Sequence, residues 1–166
     1  MIDAAYIQRM ARYNRWQNDN LYGAADRLPD DDRRRDRGAF FGSIHDTLNH
    51  LLWGDTAWMS RFTDVPKPVA SIRESVSLFA AWDDLKRERA RMDAKMLSWA
   101  DTVDPAWLVA DYTWFSAAAQ REVTKPTWQL IVHMFNHQTH HRGQVHAMLT
   151  QAGGKPSDTD LFLMPE

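Results

Sequence analysis

The stretch "PTWQLIVHMFNHQTHHRGQVHAMLTQAGG" at residues 126–154 has the features of one long helix. Proline is tolerated in the first turn of a helix, and glycine just past the last turn is a common end signal. If Leu130 is set at zero and each residue adds about 100°, Met134, Val145 and Met148 lie within roughly 60° of it. The pattern predicts an amphipathic helix with one face towards a core.

Three further segments repeat this period, at residues 3–27, 43–62 and 71–101. Each has apolar residues at intervals of three and four, and Ser71 with Glu74 fits a capping box at the start of the third. Four long amphipathic segments in a chain of this length predict an all-α fold, a four-helix bundle.

Residues 106–125 interrupt the helical pattern between the third and fourth segments. Their partial alternation predicts either a short hairpin or an irregular excursion. A connection of this length does not require the two helices to be antiparallel neighbours, so simple up-down-up-down order does not follow.

Composition restricts the class of protein. The 166 residues predict a single domain over 1–166, and a net charge of −2 argues against a nucleic-acid partner. No apolar run approaches the ~20 residues that span a bilayer, and the N-terminus lacks the form of a signal peptide, so we expect no membrane association and a cytoplasmic location. The chain has no cysteine, so a metal ion would be held by nitrogen and oxygen ligands alone.

Histidines cluster on the predicted fourth helix. His137 and His141 fall about 20° to either side of the apolar centre, one turn apart, so both rings reach the same inward-facing spot. That spacing suits two ligands of one metal ion. It does not specify a metal alone, because two inward histidines can also be satisfied by hydrogen bonds. His133, His140 and His146 are predicted to be surface residues or supports of the ligands.

A third ligand has two candidates on the second helix. His45 lies about 80° from the centre of the apolar stripe, and His50 about 140° from it, so periodicity mildly favours His45. Trp53 and Ala57 on His50's side indicate a helix covered nearly all round, so the residues alone leave both open.

Three pieces of the sequence resemble the DinB/YfiT-like family: "YNRWQNDNLY" at 13–22, "FFGSIHDTLNHLLWGDTAWMSRF" at 40–62 and "HMFNHQTHHRGQVHAMLTQAGGKPSDTDLF" at 133–162. The resemblance implies a four-helix bundle of up-down-down-up order that is usually dimeric. It also implies a divalent metal ion held by one histidine of the second helix and two of the last. Carried onto this chain, the ligands are His50, His137 and His141, and we adopt His50 on that ground.

The resemblance also indicates function. Three imidazoles leave a metal ion with an open position, which is typical of catalytic rather than structural sites. Zinc and nickel suit imidazole. Characterised relatives include transferases that use low-molecular-weight thiols, and some resemble hydrolases, so we expect activation of a small-molecule thiol or of water. The alternative is a metal-binding stress protein without turnover. The sequence does not name a substrate.

Other residues near these motifs are candidates for supporting roles. Eight tryptophans exceed what one small core needs, which with the resemblance predicts a homodimer. The candidate orienters of the ligands are Asp55, Asn136, Gln138 and Arg142, and the candidate pocket residues are Tyr13, Asn14 and Trp16.

Overall fold

A computed structural model of the chain describes residues 2–116 and 119–165. This part is mostly helical, with six α-helices and one two-stranded sheet. The elements are α1 (Ala4–Asp26), α2 (Asp30–Arg34), α3 (Ile44–Phe62), α4 (Trp82–Ala100), α5 (Pro105–Val109), β1 (Asp111–Ser116), β2 (Arg121–Pro126) and α6 (Thr127–Gln151).

Three of the long helices, α1, α3 and α6, begin and end close to their predicted bounds. At these ends the capping residues and the terminal glycine adopt the roles that the sequence predicted for them. Asp3 accepts a hydrogen bond from the backbone N–H of Tyr6, and Ser43 caps α3 through the N–H of Asp46. Gly153, just past α6, has a φ of +79°, a conformation that glycine adopts without steric cost.

The four long helices form the core. α1 packs against α4 and α6, and α3 packs against the same two helices. The largest fully buried apolar side chains come from all four: Ile7, Leu21, Ile44, Leu48, Met59, Leu85, Met96, Ile131, Met134, Phe135 and Leu149. Burial of a side chain of this size stabilises the fold by roughly 1.5–3 kcal/mol. No helix among the described residues is both long enough and apolar enough to span a membrane.

The predicted start of the third long helix at Ser71 is wrong by eleven residues. The capping contact forms, since the N–H and the hydroxyl of Ser71 both donate to Glu74 Oε2 at 2.8 Å. Only a single 3-10 turn at 75–77 follows it, and α4 begins at Trp82.

A side chain of α3 explains the interruption. Asn49 Oδ1 accepts a hydrogen bond of 2.9 Å from the N–H of Phe79, and Asn49 Nδ2 donates to the carbonyl of Phe79 at 3.3 Å. The N–H and the carbonyl of Phe79 are both bonded to the side chain of Asn49. They are therefore not available for the hydrogen bonds of an α-helix that would run through this residue. A tertiary contact therefore overrides a correct local signal.

The stretch between α4 and α6 is a short helix followed by a hairpin. β1 and β2 pair antiparallel, with Asp111 opposite Pro126 and Ser116 opposite Arg121. Residues 117 and 118, between the strands, lie outside the described part. Of the two possibilities for 106–125, the hairpin is the one found, so the fold is helical with a small sheet.

Polar side chains join the four helices inside the core. Arg89 of α4 contacts Asp55 of α3 at 2.5 Å and Asp93 at 2.9 Å. Asn18 of α1 donates to Asp93 at 2.9 Å, and Gln138 of α6 donates to Asp55 at 2.8 Å. All five residues are buried. Buried charges persist only when paired and hydrogen-bonded, so this network fixes the helices relative to one another.

Candidate metal centre

Three histidines from two helices meet at one point. One ring nitrogen of each of His50, His137 and His141 lies within 4.8 Å of the others. The Nε2 atoms of His50 and His137 are 3.2 Å apart. Two nitrogens at ~2.0–2.1 Å from a tetrahedral ion would lie about 3.3 Å apart, so this separation fits ligands of one ion.

Helix geometry accounts for the cluster. His137 and His141 are one turn apart on α6, and their ring centroids lie 4.5 Å apart. α3 packs against α6 and adds His50, whose ring centroid is 4.8 Å from that of His141. The three side chains that meet here are the histidines that the resemblance to the DinB/YfiT-like family implied, and together they could hold a metal ion.

The tautomer of His50 is set by Ser75, in the 3-10 turn. The hydroxyl of Ser75 donates its one proton to the carbonyl of Ile72 at 2.7 Å. Its oxygen, 2.8 Å from His50 Nδ1, therefore accepts a hydrogen bond from that nitrogen. With the proton on Nδ1, the lone pair of His50 is on Nε2, the atom that faces His137.

Gln144 sets the tautomer of His141. Gln144 Oε1 lies 2.8 Å from His141 Nδ1, and the other end of the amide, Nε2, is 3.2 Å from His140 Nε2. An amide oxygen only accepts, so His141 Nδ1 carries the proton and Nε2 is left as a donor to a metal ion. His140 is exposed, and it contacts the site through Gln144 and through its ring, whose centroid lies 4.8 Å from that of His141.

Burial keeps the rings neutral. It lowers the pKa of His50 to about 3, with a smaller effect from His137 and His141. It also lowers the pKa of His137 to about 4 and that of His141 below its usual value. Only a neutral imidazole binds a metal ion, so few protons need to be displaced at neutral pH.

Aromatic rings enclose His50. Phe41, from the turn before α3, stacks on His50 with centroids 3.9 Å apart, and its ring lies 5.3 Å from His141. Trp53 stacks on His50 at 5.9 Å. These rings limit the access of water to this side of the cluster.

The structure separates the two candidates on α3. His50 joins the cluster, whereas His45 is buried elsewhere, with Nδ1 3.1 Å from Asn49 Nδ2 and its ring beside Trp82. The periodicity count favoured His45 because it assumed one buried face. In fact every residue from 47 to 52 is buried, so angle does not distinguish core from surface on this helix.

The other predicted residues lie around the cluster in different ways. Gln138 and Asp55 belong to the buried network, as does Arg142 through Asn14, while Asn136 is exposed. His133 is exposed and contacts Trp58. Tyr13 donates to the carbonyl of Thr159 and stacks edge-on with Trp16, away from the three histidines.

Sequence reasoning missed Ser75, Gln144, Phe41 and Gly54. Gln144 had a visible signal, since it lies three residues after His141 on a helix and so on the same side. Ser75 had no such signal in the sequence, because its contact with His50 depends on the turn that forms when Asn49 binds the backbone of Phe79.

Gly54 provides the space that His137 occupies. A Cβ atom at this position would lie 2.8 Å from His137 Cε1 and 3.4 Å from Nδ1. We expect Gly54→Ala to push the ring out of the cluster and to reduce metal content from near one ion per chain by at least tenfold. Because a side chain can move aside and alanine favours helices, the variant should stay folded. Elemental analysis and circular dichroism measure the two effects.

Gly23→Ala is the matched control, since this helical glycine of α1 has no atom within 4 Å of the added carbon. It should keep its metal and gain up to about 1 kcal/mol of stability from helix propensity. Full metal content in Gly54→Ala would show that His137 does not need its observed position.

Two cavities lie away from the cluster. One of about 710 Å³ lies between the segment 64–79 and the helices α3 and α4. The other, of about 310 Å³, lies between α1 and α6. None of the three clustered histidines lines either cavity.

Comparison with known proteins identifies the family. The sequence model of the DinB family matches residues 1–166. The protein named Protein DinB from Bacillus subtilis (strain 168) is 25% identical over 180 aligned positions, which cover 98% of this chain and 95% of that protein. A helical fold, a histidine cluster on its third and sixth helices and a match over its whole length together show that the chain belongs to the DinB family.

Proposed function

We propose that His50, His137 and His141 bind one divalent ion, zinc or nickel. The observation that carries this is the orientation of two rings. Ser75 and Gln144 occupy the Nδ1 atoms of His50 and His141, so the lone pairs of both rings are on Nε2. Histidine ligands of metal ions are normally oriented in this way by a hydrogen bond to the second nitrogen.

The donor set favours a reactive rather than a structural site. Among the described residues the cluster contains three donor side chains, and structural zinc sites are normally closed by four. A bound ion would supply positive charge that favours the deprotonated form of a thiol or of water. The neutral rings would leave that charge undiminished.

We propose further that the nucleophile is a small-molecule thiol. The chain has no cysteine and cannot supply a thiolate itself. The aromatic cover formed by Phe41 and Trp53 limits water on the side of His50 and offers an apolar wall to a substrate. In the transfer, the thiol sulfur forms a bond to an electrophilic carbon, that carbon loses its leaving group, and the thiol proton passes to solvent.

An assay with parallel readouts tests this proposal. Metal-loaded protein is incubated with a panel of electrophiles, with and without glutathione, bacillithiol or mycothiol, and adducts and hydrolysis products are followed together. We expect thiol-dependent adducts that His50→Ala abolishes and that the matched variant His45→Ala retains.

The other outcomes have definite meanings. Products formed without thiol would identify water as the nucleophile and the chain as a hydrolase. No metal-dependent turnover over the whole panel would leave a metal-binding protein without catalysis, and would contradict the transferase proposal while leaving the metal site intact.

We also propose that the protein is a homodimer. Six of its eight tryptophans are only half-buried, and Phe40 and Phe162 expose more than four-fifths of their surface, at 82% and 83%. Aromatic residues are enriched in protein interfaces. Light scattering at micromolar concentration should give twice the chain mass of 19.3 kDa, and a value near 19.3 kDa would contradict the dimer.

For the bundle we propose up-down-down-up order. Contacts between α1 and α4 run in opposite directions along the two helices, whereas those between α3 and α4 run in the same direction. The pairs are Asn18–Asp93 and Asp26–Lys86 for the first, and Asp55–Arg89 for the second, together with Asp64–Lys95, where Asp64 lies two residues after the end of α3.

A further inference from the structure

The cavity of about 310 Å³ between α1 and α6 has polar side chains at its walls. Arg142, His146, Gln17 and Thr139 line it together with the apolar groups of Tyr13 and Leu21. This volume is at the small end of the range for ligand pockets, which combine an apolar surface with a few polar groups.

Arg142 is a buried cation with no carboxylate in contact. The residue is 5% exposed, and its guanidinium donates to the amide oxygen of Asn14 and, at 3.5 Å, to the hydroxyl of Thr139. Within the described residues it forms no ion pair, whereas Arg89 in the same core contacts two carboxylates. A guanidinium has five N–H donors, so Arg142 has donors to spare.

A second polar residue, His146, lines the same cavity. The Nδ1 atom of His146 is buried and has no hydrogen-bond partner among the described residues. Buried polar atoms are nearly always satisfied, so this nitrogen requires a partner such as a water molecule or a polar group of a ligand. The two observations are independent and concern the same cavity.

We propose that this cavity binds a small molecule with a single carboxylate, which Arg142 holds through its guanidinium. The planar fork of arginine matches a carboxylate in two parallel hydrogen bonds. Leu21 and the ring of Tyr13, which lies 5.6 Å from the Arg142 guanidinium carbon, contact the apolar part of the ligand. One fixed cation suits a monoanion better than a phosphate group with two charges.

The surroundings permit an added negative charge. Asp55 and Asp93 already offset Arg89 and Arg142 within the core, so a fully enclosed anion would be unfavourable. However, Gly143 at the cavity wall is exposed, so a bound carboxylate keeps one side in water. The site is separate from the three-histidine cluster and does not depend on the function proposed for it.

Nuclear magnetic resonance titration of the full chain tests this inference. The probes are acetate, butyrate and benzoate, each with its neutral amide as control, and inorganic phosphate. We expect saturable shifts confined to α1 and α6 for butyrate and benzoate, and at least tenfold weaker binding for the amides and phosphate. Tighter binding of phosphate than of the carboxylates would overturn the assignment of the ligand class.

Three variants locate the site. Arg142→Gln should weaken benzoate binding at least tenfold. Gly143→Leu should do the same by filling the cavity, and it keeps Arg142 in place in case the first variant does not fold. His50→Ala should bind benzoate as the unaltered protein does. Unchanged binding in folded Gly143→Leu, or equal binding of benzoate and benzamide, would overturn the proposal.

Discussion

A variant with both His137 and His141 changed to alanine will contain almost no bound metal. The unaltered protein, purified without a histidine tag, should contain close to one divalent ion per chain by elemental analysis. In the double variant His50 is the one imidazole of the cluster that remains. A single neutral ligand binds an ion too weakly to retain it when the free metal is diluted. The loss should reach at least tenfold after dialysis, with the helical circular dichroism spectrum retained.

Two single variants make this test specific. His140→Ala removes an exposed histidine of the same helix and should keep most of its metal, since His140 contacts Gln144 and the ring of His141 but is not one of the three clustered histidines. His50→Ala should lose metal, whereas His45→Ala should not. If the double variant retains a full equivalent of metal, the ligand assignment is wrong.

Replacing Arg89 with methionine will have the largest effect on stability. Arg89 is the guanidinium that Asp55 and Asp93 share, and all three are at most 4% exposed. Breaking a buried ion pair by removing one partner costs about 3–5 kcal/mol, because the remaining charge has no counterion. Two carboxylates would be left here, so we expect the upper part of that range in urea unfolding.

Lys95→Met on the same helix is the matched control. Lys95 contacts Asp64 at 3.2 Å, but its side chain is 55% exposed. Exposed ion pairs are worth about 0–1 kcal/mol, so the free energy of unfolding should change little. Similar losses in the two variants would mean that the buried network does not stabilise the fold as described.

The sequence predicted most of the helical architecture because, over long segments, the capping residues lie where the helical repeat of apolar residues begins or ends. α1, α3 and α6 have caps or end signals where the apolar stripe begins or stops. α4 fails this rule. Ser71 and Glu74 form the capping contact, yet the helix starts at Trp82 because Asn49, which lies 30 residues before Phe79, binds the backbone of Phe79. No local pattern contains that contact.

The histidine cluster was predicted in part from spacing. The pair on α6 follows from two residues one turn apart on an inward face, which a helical count detects. His50 was predicted only from the family motif. Because α3 is buried on all sides, counting 100° per residue does not show which of its histidines faces the core. The supports Ser75 and Gly54 depend on how α3 meets the 3-10 turn and α6, and packing between segments distant in sequence is invisible to periodicity.

The separation of the clustered histidines along the chain has a consequence for folding. His50 and His137 are 87 residues apart in sequence but have nitrogens 3.2 Å apart. An ion held by both would act as a reversible cross-link that closes a loop of more than half the chain, and the unfolded chain does not present these ligands together. By mass action such an ion stabilises only the folded state. Metal starvation would then lower the resistance of the protein to proteolysis even before any activity is considered.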